Sequence, residues 1–534
     1  MISDVNIFVD RDACFACGIC VDRCGLDNLR LFVAPCRSAC PIQMNCQGYV
    51  RLIAQGKEKE AAEEMRKYLP FSGILGRVCT HPCESACERA SLGDGAVHIR
   101  ALKRYLADAY PDIAGRLPAV AADTGKKVAV IGAGPSGMMA AYELRAKGHA
   151  VTVYEASSKP GGLMRWAIPS FRLPVSEVDS ATDMLASMGI DFKTNAALGE
   201  DFTLEEVAGD HDAVLLAIGA GPSASPAFPG EDLDQVYHAL DILESVKENK
   251  PIDPGDSAII IGGGNSAADV ALTLKKLGVV DVRIVCLENT DEMPLFDIER
   301  RELQEEGVII ENCWGPRSFT LNDSGKIEVE ISKCLSVFDV DGSFCPQLED
   351  TCQLGFEADS VVLAVGQKLN AKGIPAEMVA DGKQLEVDPL TLKSASAKNV
   401  FCCGDAVTGP SSIVIALAQG REAAISIDRF VSGENLAWGR DRSAIDGHIS
   451  EYEADHSRAV GGGRGILGRL PVNKRTIDAE IEASLTPEQA RQEADRCLSC
   501  GRSAEYNKAC WYCLPCEIEC PTNALEVKLP YQVR

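Results

Sequence analysis

The sequence predicts an α/β protein in which two Rossmann-like dinucleotide-binding units are flanked by cysteine-rich ends. Two stretches predict the central units: VAVIGAGPSGMMAAYELRAKGHAVTVYE and AIIIGGGNSAADVALTLKKLG each lead from an apolar strand through a glycine turn into a helix pattern. The cysteines predict the ends, because ten of the 23 lie between Cys14 and Cys87 and six between Cys497 and Cys520. At about 150 residues per domain, 534 residues allow three or four domains.

Composition and charge narrow the class of protein. The 53 Lys and Arg residues against 78 Asp and Glu residues give a formal net charge of −25, the wrong sign for binding nucleic acid or an anionic membrane surface. The sequence has no uninterrupted apolar run of about 18 residues and does not start with a secretion signal. We therefore expect a cytoplasmic protein with no membrane span. Disulfides rarely persist in that compartment, so the clustered cysteines indicate metal ligands.

The first central unit has the features of a dinucleotide-binding strand, turn and helix. Gly132, Gly134 and Gly137 have GxGxxG spacing directly after an apolar strand, so the turn can be tight and the helix N-terminus can face a pyrophosphate. The strand VTVYE then places Glu155 23 residues after Gly132, where a carboxylate can bind ribose hydroxyl groups. Together these features predict a bound dinucleotide.

The second unit repeats the arrangement with Gly262, Gly264 and Ala267. Its next strand, VRIVCLE, ends at Glu288, where a carboxylate favours a free 2′-hydroxyl and repels a 2′-phosphate, so we expect NADH rather than NADPH. The 26 residues from Gly262 to Glu288 exceed the usual separation of about 20, which leaves a solvated surface glutamate as the alternative. Two such units in one chain predict two dinucleotides.

Two cysteine runs near the termini have the spacing of four-iron clusters. In a CxxCxxCxxxC run, three thiolates bind one cluster and the fourth commonly binds the other cluster of a two-cluster ferredoxin. Zinc sites usually show separated CxxC pairs instead. The first run consists of Cys14, Cys17, Cys20 and Cys24, and the second of Cys510, Cys513, Cys516 and Cys520.

The two runs predict a split ferredoxin whose halves meet in the folded chain. Pro521 follows the second run as usual, whereas Gly25 follows the first. Two independent single-cluster loops are the alternative. In the split arrangement one cluster is bound by Cys14, Cys17, Cys20 and Cys520, and the other by Cys510, Cys513, Cys516 and Cys24.

A series of motifs resembles the glutamate synthase small-subunit family of flavoproteins. The motifs are GAGPSG, EASSKPGGLMRWAIPSFRLP, AIGAG, GGGNSAAD, AVGQ and CGDAVTGPSSIVIALAQGREAA. The resemblance implies FAD at Gly132, Gly134, Gly137, Glu155, Gly162, Leu163, Arg172, Gly404 and Asp405, and a nicotinamide nucleotide at Gly262, Gly264, Asn265, Ser266 and Gly366. Leu287 and Glu288 stand where NADPH-using members carry paired arginines, which agrees with NADH.

The helical segment resembles the iron-sulfur domain of the same family, which is also found in dihydropyrimidine dehydrogenase. An RCLxCG pair that precedes this domain in relatives appears here near the C-terminus as Cys497 and Cys500, so we expect the C-terminal segment to fold back. One cluster is then bound by Cys36, Cys87, Cys497 and Cys500, and the other by Cys40, Cys79 and Cys83 with a fourth ligand still open.

Two regions could supply that fourth ligand. Cys46 is available, but its place in the family pattern is apolar, so a packed core cysteine is an equal alternative. The other region is VHIRALKR, where some relatives use a glutamine and this chain has Lys103 and Arg104. The seven cysteines between the two ends, among them Cys402 and Cys403, are expected to be small buried hydrophobic residues.

The chain is therefore expected to divide into six parts. A capping box at Thr486, Pro487 and Gln489 starts the last of them with a short helix. The parts are a ferredoxin-like half at 1–33, a helical iron-sulfur domain at 34–115, an FAD-binding domain at 120–255 and 367–430, an NAD-binding domain at 256–366, a linker at 431–486 and a C-terminal iron-sulfur segment at 487–534.

These expectations predict an electron-transferring oxidoreductase. NADH passes a hydride to FAD, and single electrons leave through four [4Fe-4S] clusters, or the reverse. No acid, base or nucleophile of the chain is expected to be catalytic. The partner is expected to be an electron-accepting subunit or ferredoxin in a hetero-oligomer. The alternatives are a flavin-based electron-bifurcating NAD(P)H:ferredoxin oxidoreductase subunit and a non-enzymatic adaptor that has lost nucleotide binding.

Overall fold

The computed structural model describes residues 7–24, 29–380, 382–440, 454, 456–459, 462–505, 510 and 512–528. Gly25 and most of the stretch from 441 to 461 lie outside these residues.

The N-terminal part is a strand-helix-strand unit followed by a helical domain. Asn45 caps the helix that begins at Cys46, because its side chain accepts a hydrogen bond from the Gly48 N–H at 3.1 Å. Two helices touch at Gly76, where a Cβ would lie 2.7 Å from the Arg104 Cα. The elements are β1 (Ile7–Val9), α1 (Ile19–Asp22), β2 (Leu29–Phe32), α2 (Pro35–Ser38), α3 (Cys46–Ala54), α4 (Glu58–Tyr68), α5 (Ser72–Val78), α6 (Pro82–Ser85), α7 (Ile99–Ala109) and α8 (Pro111–Ala114).

The centre of the chain alternates strands and helices. The first set comprises β3 (Lys127–Ile131), α9 (Pro135–Ala146), β4 (Ala150–Glu155), α10 (Leu163–Trp166), α11 (Val175–Ser187), β5 (Asp191–Thr194), α12 (Leu204–Asp210) and β6 (Ala213–Leu216). The second comprises β7 (Val236–His238), α13 (Ala239–Lys247), β8 (Ser257–Ile261), α14 (Asn265–Leu277), β9 (Asp281–Cys286), α15 (Asp297–Glu305), β10 (Ile309–Asn312), β11 (Trp314–Leu321), β12 (Ile327–Phe338), β13 (Phe344–Ala358) and β14 (Ser360–Leu363). The return to the first set adds β15 (Val379–Ala380), β16 (Gln384–Leu385), β17 (Val400–Cys402), α16 (Asp405–Thr408) and α17 (Ile413–Val431).

Two parallel five-stranded sheets organise this centre. Their strand orders are β17-β6-β3-β4-β5 and β10-β9-β8-β14-β7. Val128, Val130 and Ile260 are fully buried in the two inner strands, as expected for parallel sheets covered by helices on both faces. The predicted α/β class with two Rossmann-like domains is confirmed.

The boundary between the two units differs from the expectation. Residues 236–247, placed in the first unit by sequence, form β7 and α13, and β7 pairs in parallel with β14 of the second sheet. The physical reason is that β7 finds its hydrogen-bonding partner more than 120 residues later in the chain, at Val361–Leu363. The second unit also contains a three-stranded antiparallel sheet, β11-β12-β13, which no sequence motif had indicated.

The C-terminal part returns to the N-terminal part. Its elements are α18 (Pro487–Asp495), β18 (Arg502–Glu505), α19 (Pro515–Ile518) and β19 (Leu525–Val527). β19 pairs antiparallel with β1 so that Ile7 lies opposite Val527, and β18 pairs antiparallel with β2. The predicted capping box at the start of α18 is confirmed, since Thr486 and Gln489 exchange side-chain to backbone hydrogen bonds.

Residues 462–485, expected to be part of a linker, are instead packed as a strap across the molecule. Ile481 is 3% exposed, and its N–H donates to the Phe171 carbonyl at 3.0 Å. Glu482 accepts a hydrogen bond of 2.6 Å from Arg100 of the helical domain, and Arg469 pairs with Glu302 of the second unit. The mixed charge of this stretch thus reflects ion pairs with other domains rather than solvation.

In the part of the chain that the structure describes, every helix is too short or too polar to span a lipid bilayer.

Candidate functional site

A large cavity lies at the carboxyl ends of the strands of the two parallel sheets. Its volume is about 1480 Å³, above the roughly 300–1,000 Å³ of an ordinary small-molecule pocket. Two of the sequence-predicted residues, Gly137 and Gly404, do not line it. The predicted residues that do are Gly132, Gly134, Glu155, Gly162, Leu163, Arg172, Gly262, Gly264, Asn265, Ser266, Glu288, Gly366 and Asp405.

The first glycine turn connects β3 to α9. Gly132 has φ +104°, and a Cβ there would lie 2.3 Å from the Ala217 carbonyl oxygen. A Cβ on Gly137 would lie 2.0 Å from the Gly132 carbonyl oxygen, so both positions require glycine for packing. A Cβ on Gly134 would meet nothing within 4 Å, which leaves open space at the helix N-terminus. That space suits a pyrophosphate.

Glu155 stands at the end of β4 beside this turn. Its carboxylate accepts hydrogen bonds from the N–H groups of Ala133 at 2.9 Å and Ser157 at 2.8 Å, and the residue is 7% exposed. These bonds fix both oxygens while leaving lone pairs for ribose hydroxyl groups. Gly162 packs against the turn, since a Cβ there would lie 2.8 Å from the Gly134 Cα.

Gly404 and Asp405 begin α16 next to the same turn. Gly404 has φ +75°, and its N–H donates to Gln419 Oε1 at 2.6 Å. Asp405 accepts a hydrogen bond of 2.7 Å from the Ser411 hydroxyl, and burial raises the pKa of this carboxyl group. A Cβ on Gly404 would lie 2.6 Å from Ser136 Oγ, so Gly404 packs closely against the start of α9, while Asp405 lines the cavity.

The second glycine turn has the same geometry between β8 and α14. A Cβ on Gly262 would lie 2.4 Å from the Ala364 carbonyl oxygen, whereas one on Gly264 would meet nothing within 4 Å. A Cβ on Gly263 would lie 2.7 Å from Glu288 Oε2, so that carboxylate stands directly beside the turn. Strand β9, which follows α14, ends at Cys286, two residues earlier than the sequence predicts. Glu288 therefore belongs to the loop after β9.

Arg172 joins the two units. Its guanidinium donates to Asp269 of α14 at 2.6 Å and to Glu299 of α15. Burial alone would lower the pKa of Arg172, but the Asp269 and Glu299 carboxylates raise it, so the side chain stays charged. The resemblance implied only a role toward FAD, and the structure adds an ion-paired bridge between domains.

Several polar atoms in the cavity wall are buried without a hydrogen-bond partner among the described residues. They are Trp166 Nε1, Asn265 Oδ1, Gln367 Oε1 and Ser412 Oγ. Buried polar groups are normally satisfied, so these atoms fit a bound group that supplies donors and acceptors. Together with the open space at Gly134, the wall has the features needed to hold nucleotides.

Part of the cavity wall could not be predicted from the sequence. Trp314, Phe344 and Leu348, from the three-stranded sheet, line the cavity beside the second turn. No local motif could have identified them, because their position depends on the pairing of β11, β12 and β13.

The strand pairs β1-β19 and β2-β18 bring together the two cysteine runs near the ends of the chain. Cys20 and Cys516 are buried in one small core, and the Cys20 thiol donates to the Ser503 hydroxyl at 3.1 Å. Burial raises the pKa of Cys20, the hydrogen bond to Ser503 opposes this rise, and the nearby thiols of Cys14, Cys520 and Cys516 add to it. Burial raises the pKa of Cys516 to about 11, with contributions from the thiols of Cys24, Cys510 and Cys513.

The RCLSCG segment lies against the helical domain. Gln47 holds it, because its amide donates to the Gly501 carbonyl at 2.6 Å and accepts from the Gly501 N–H at 2.5 Å. A small cavity of about 30 Å³ is lined by the thiol-bearing residues Cys36, Cys46, Cys87, Cys497 and Cys500. The other cysteines of this domain, Cys40, Cys79 and Cys83, are each no more than 8% exposed and belong to the adjoining core.

The donors in these sets are all sulfur, which suits iron-sulfur clusters. Among the described residues, no three His, Cys, Asp or Glu side chains converge as they would around a single metal ion. A four-iron cluster is bound differently, with one thiolate at each of four separate irons.

Comparison with known proteins identifies two families in the chain. Residues 126–420 match the pyridine nucleotide-disulphide oxidoreductases, and residues 12–113 match dihydropyrimidine dehydrogenase domain II, 4Fe-4S cluster. These matches imply that the chain uses a flavin, a pyridine nucleotide and a four-iron cluster.

Three relatives extend the similarity. The chain is 30% identical over 514 residues to the NADP(+)-dependent formate dehydrogenase subunit beta of Moorella thermoacetica, covering 90% of this chain and 72% of that one. It is 33% identical over 408 residues to the NAD-dependent dihydropyrimidine dehydrogenase subunit PreT of Escherichia coli K12, covering 75% and 92%. It is 32% identical over 424 residues to the glutamate synthase [NADPH] small chain of Azospirillum brasilense, covering 75% and 86%.

The predicted resemblance to glutamate synthase small subunits and to dihydropyrimidine dehydrogenase is confirmed. The expectation of an NAD(P)H oxidoreductase is confirmed with it. The chain belongs to the pyridine nucleotide-disulphide oxidoreductase family and carries in addition an iron-sulfur domain of the dihydropyrimidine dehydrogenase type.

Proposed function

We propose that this chain is the NADH-oxidising subunit of a hetero-oligomeric enzyme and delivers electrons to a protein partner, either another subunit or a ferredoxin. FAD supplies the conversion between two-electron hydride chemistry and one-electron transfer, and four [4Fe-4S] clusters supply the route out. The residues of the chain bind and orient these groups and set their surroundings.

The observation that carries the proposal is the position of a predicted cluster ligand between two residues of the cavity wall. Val78 and Thr80 both line the cavity, and Cys79 stands between them in the chain. Cys79 itself is buried and belongs to the core that also contains Cys40 and Cys83. The thiol set of Cys40, Cys79 and Cys83 is therefore adjacent to the wall of the cavity. A cluster bound there would give electrons a short route out of the cavity.

Glu155 and Glu288 support the proposed positions of the two nucleotides. Glu155 is fixed by two backbone N–H groups at the first turn, where it can hold the ribose of FAD. Glu288 occupies the corresponding place at the second turn and disfavours a 2′-phosphate. The names of the relatives include both NAD and NADP(+), so the support for NADH comes from Glu288 and Leu287.

A pair of matched variants tests the assignment of the two turns. Gly134 and Gly264 have φ values of −74° and −91°, which alanine adopts freely, and a Cβ at either one points into open space. Gly134→Ala should therefore fold but lose its flavin absorbance. Gly264→Ala should keep the flavin and require at least about tenfold more NADH for half-maximal bleaching. The reverse pattern, or full flavin and normal bleaching in both variants, would contradict the proposal.

The thiol neighbours support the split ferredoxin within this function. Cys24, Cys510 and Cys520 pack against the small core that contains Cys20 and Cys516, so the last cysteine of each run lies close to the other run, as an exchange of the fourth ligand requires. The test is Cys520→Ser with iron determination and EPR. Loss of the signal assigned to Cys14, Cys17 and Cys20 supports the exchange. Loss of only the signal assigned to Cys510, Cys513 and Cys516 refutes it.

A further inference from the structure

Four clusters bound by cysteine alone use sixteen thiolates, and the two ends of the chain contain sixteen cysteines. Fifteen have a place in the four sets above, and Cys46 is the remaining one. We propose that Cys46 is the fourth ligand of the cluster bound by Cys40, Cys79 and Cys83, and that Lys103 is a counter-charge to this cluster rather than a ligand. The inference rests on the proposed function, because it requires the clusters to be present.

The fold holds Cys46 at the first residue of α3. Asn45 fixes this helix start from three sides, with an N–H to the Phe15 carbonyl at 3.2 Å, another to Glu64 at 2.8 Å and its own oxygen accepting from Gly48. Cys46 is 2% exposed and shares one core with Cys40, Cys79 and Cys83. A rigid helix start of this kind can hold a thiolate in a defined position.

The immediate neighbours of the Cys46 side chain are other thiols. Its side chain interacts with those of Cys36, Cys40 and Cys83. Cys46 also lines the small cavity next to Cys36, but Cys36 completes a set of four there with Cys87, Cys497 and Cys500. Cys46 is then available to the set that contains Cys40 and Cys83 and lacks a fourth thiolate. A core cysteine with only a packing role would be expected among aliphatic side chains instead.

The alternative ligands on α7 are both cations. Arg104 turns away from the thiols, since its guanidinium contacts Asp108 at 3.2 Å, Glu480 at 2.9 Å and the Glu482 carbonyl at 2.6 Å. A guanidinium has no lone pair available for iron.

Lys103 faces the thiol set instead of the strap. It is 4% exposed, and its ammonium group donates to the Leu75 carbonyl at 3.3 Å. Burial opposes its charge, and the nearby thiol groups of Cys79 and Cys83 are the main groups that favour it. An ammonium group donates three hydrogen bonds and accepts none, so it cannot bind iron. A buried cation requires nearby negative charge, which four thiolates provide. Because a cation stabilises the more negative, reduced state, Lys103 should raise the reduction potential of the cluster nearest the cavity.

Two variants and a control test the inference. Cys46→Ala, Lys103→Met and the control Cys334→Ala, which replaces a buried cysteine of β12, are purified without oxygen as the full chain. Iron and sulfide are measured per flavin, EPR spectra are recorded after reduction, and potentials are titrated. Cys46→Ala should lose the same EPR signal as Cys79→Ala, with less iron per flavin. Lys103→Met should keep all its iron and shift that signal to a more negative potential. Cys334→Ala should match the wild type.

Each contrary result overturns the inference. The first is a full iron content in Cys46→Ala. The second is that Cys46→Ala loses the EPR signal that Cys500→Ala also loses. The third is that Lys103→Met loses iron while Cys46→Ala is unchanged. If Cys46→Ala does not fold, Cys46→Ser serves instead, because an oxygen ligand must change the EPR g-values of one cluster and unchanged values overturn the assignment. If the wild type itself contains no iron, it is the proposed function that fails.

Discussion

Replacing Glu288 with glutamine should make NADPH a usable electron donor. The Glu288 carboxylate lies beside the second glycine turn and is partly exposed. At about 4 Å, two unit charges repel by about 1 kcal/mol in water and about 4 kcal/mol at a protein surface. A 2′-phosphate carries about −1.5 to −2 charges, so for a partly exposed carboxylate we expect relief of about 2 kcal/mol. That corresponds to about a 30-fold gain in kcat/KM for NADPH.

The same change should lower kcat/KM for NADH. A hydrogen bond to a charged group contributes about 1.5–3 kcal/mol and a neutral one about 0.5–1.5 kcal/mol, so loss of the charge costs about 1 kcal/mol, or about fivefold in kcat/KM. The assay is steady-state reduction of a viologen dye with each nucleotide. The control is Glu292→Gln, an exposed carboxylate four residues further on that does not line the cavity. Equal use of both nucleotides by the wild type, or no change in NADPH kinetics for Glu288→Gln, would refute the reasoning.

Three further changes test the packing around the site. Gly137→Ala would place a Cβ 2.0 Å from the Gly132 carbonyl oxygen, so the chain should purify without flavin absorbance; a normal flavin spectrum would contradict this. Arg172→Met leaves the buried Asp269 carboxylate without its cation, which typically costs about 3–5 kcal/mol, so the melting temperature should fall by several degrees; an unchanged melting temperature would show that the bridge is dispensable. Burial lowers the pKa of Lys247 to about 8, below its value in the unfolded chain. Between about pH 8 and 10.4 the unfolded chain therefore binds more protons, so this site penalises folding at neutral pH and the penalty fades as pH rises. Lys247→Met should raise the melting temperature at pH 7 more than at pH 10, and an equal change at both values would contradict the assignment.

The glycine turns could be predicted because everything that defines them lies within about 30 residues. Gly132, Gly134 and Glu155 belong to one strand-turn-helix-strand unit, so their spacing alone indicates how they come together. The same holds for Gly262 and Gly264. The local sequence was therefore enough to predict the two glycine turns.

Features that depend on distant pairing could not be predicted in the same way. β7 has only three residues, and nothing within it tells that its partner is Val361–Leu363. The strap shows no long apolar period, and its position is decided by ion pairs such as Glu482 with Arg100. Arg172 could be recognised from its motif, but its bridge to Asp269 depends on how the two domains are arranged.

The pairing of β1 with β19 and of β2 with β18 has a consequence for how the protein is made. Synthesis proceeds from the N-terminus, so β1 and β2 emerge from the ribosome long before their partners exist. Until then their hydrogen-bonding edges are open, and open edges invite aggregation. A polypeptide released early would keep these edges and its first cysteines unprotected, whereas synthesis of β18 and then of β19 allows the two edges to close in turn.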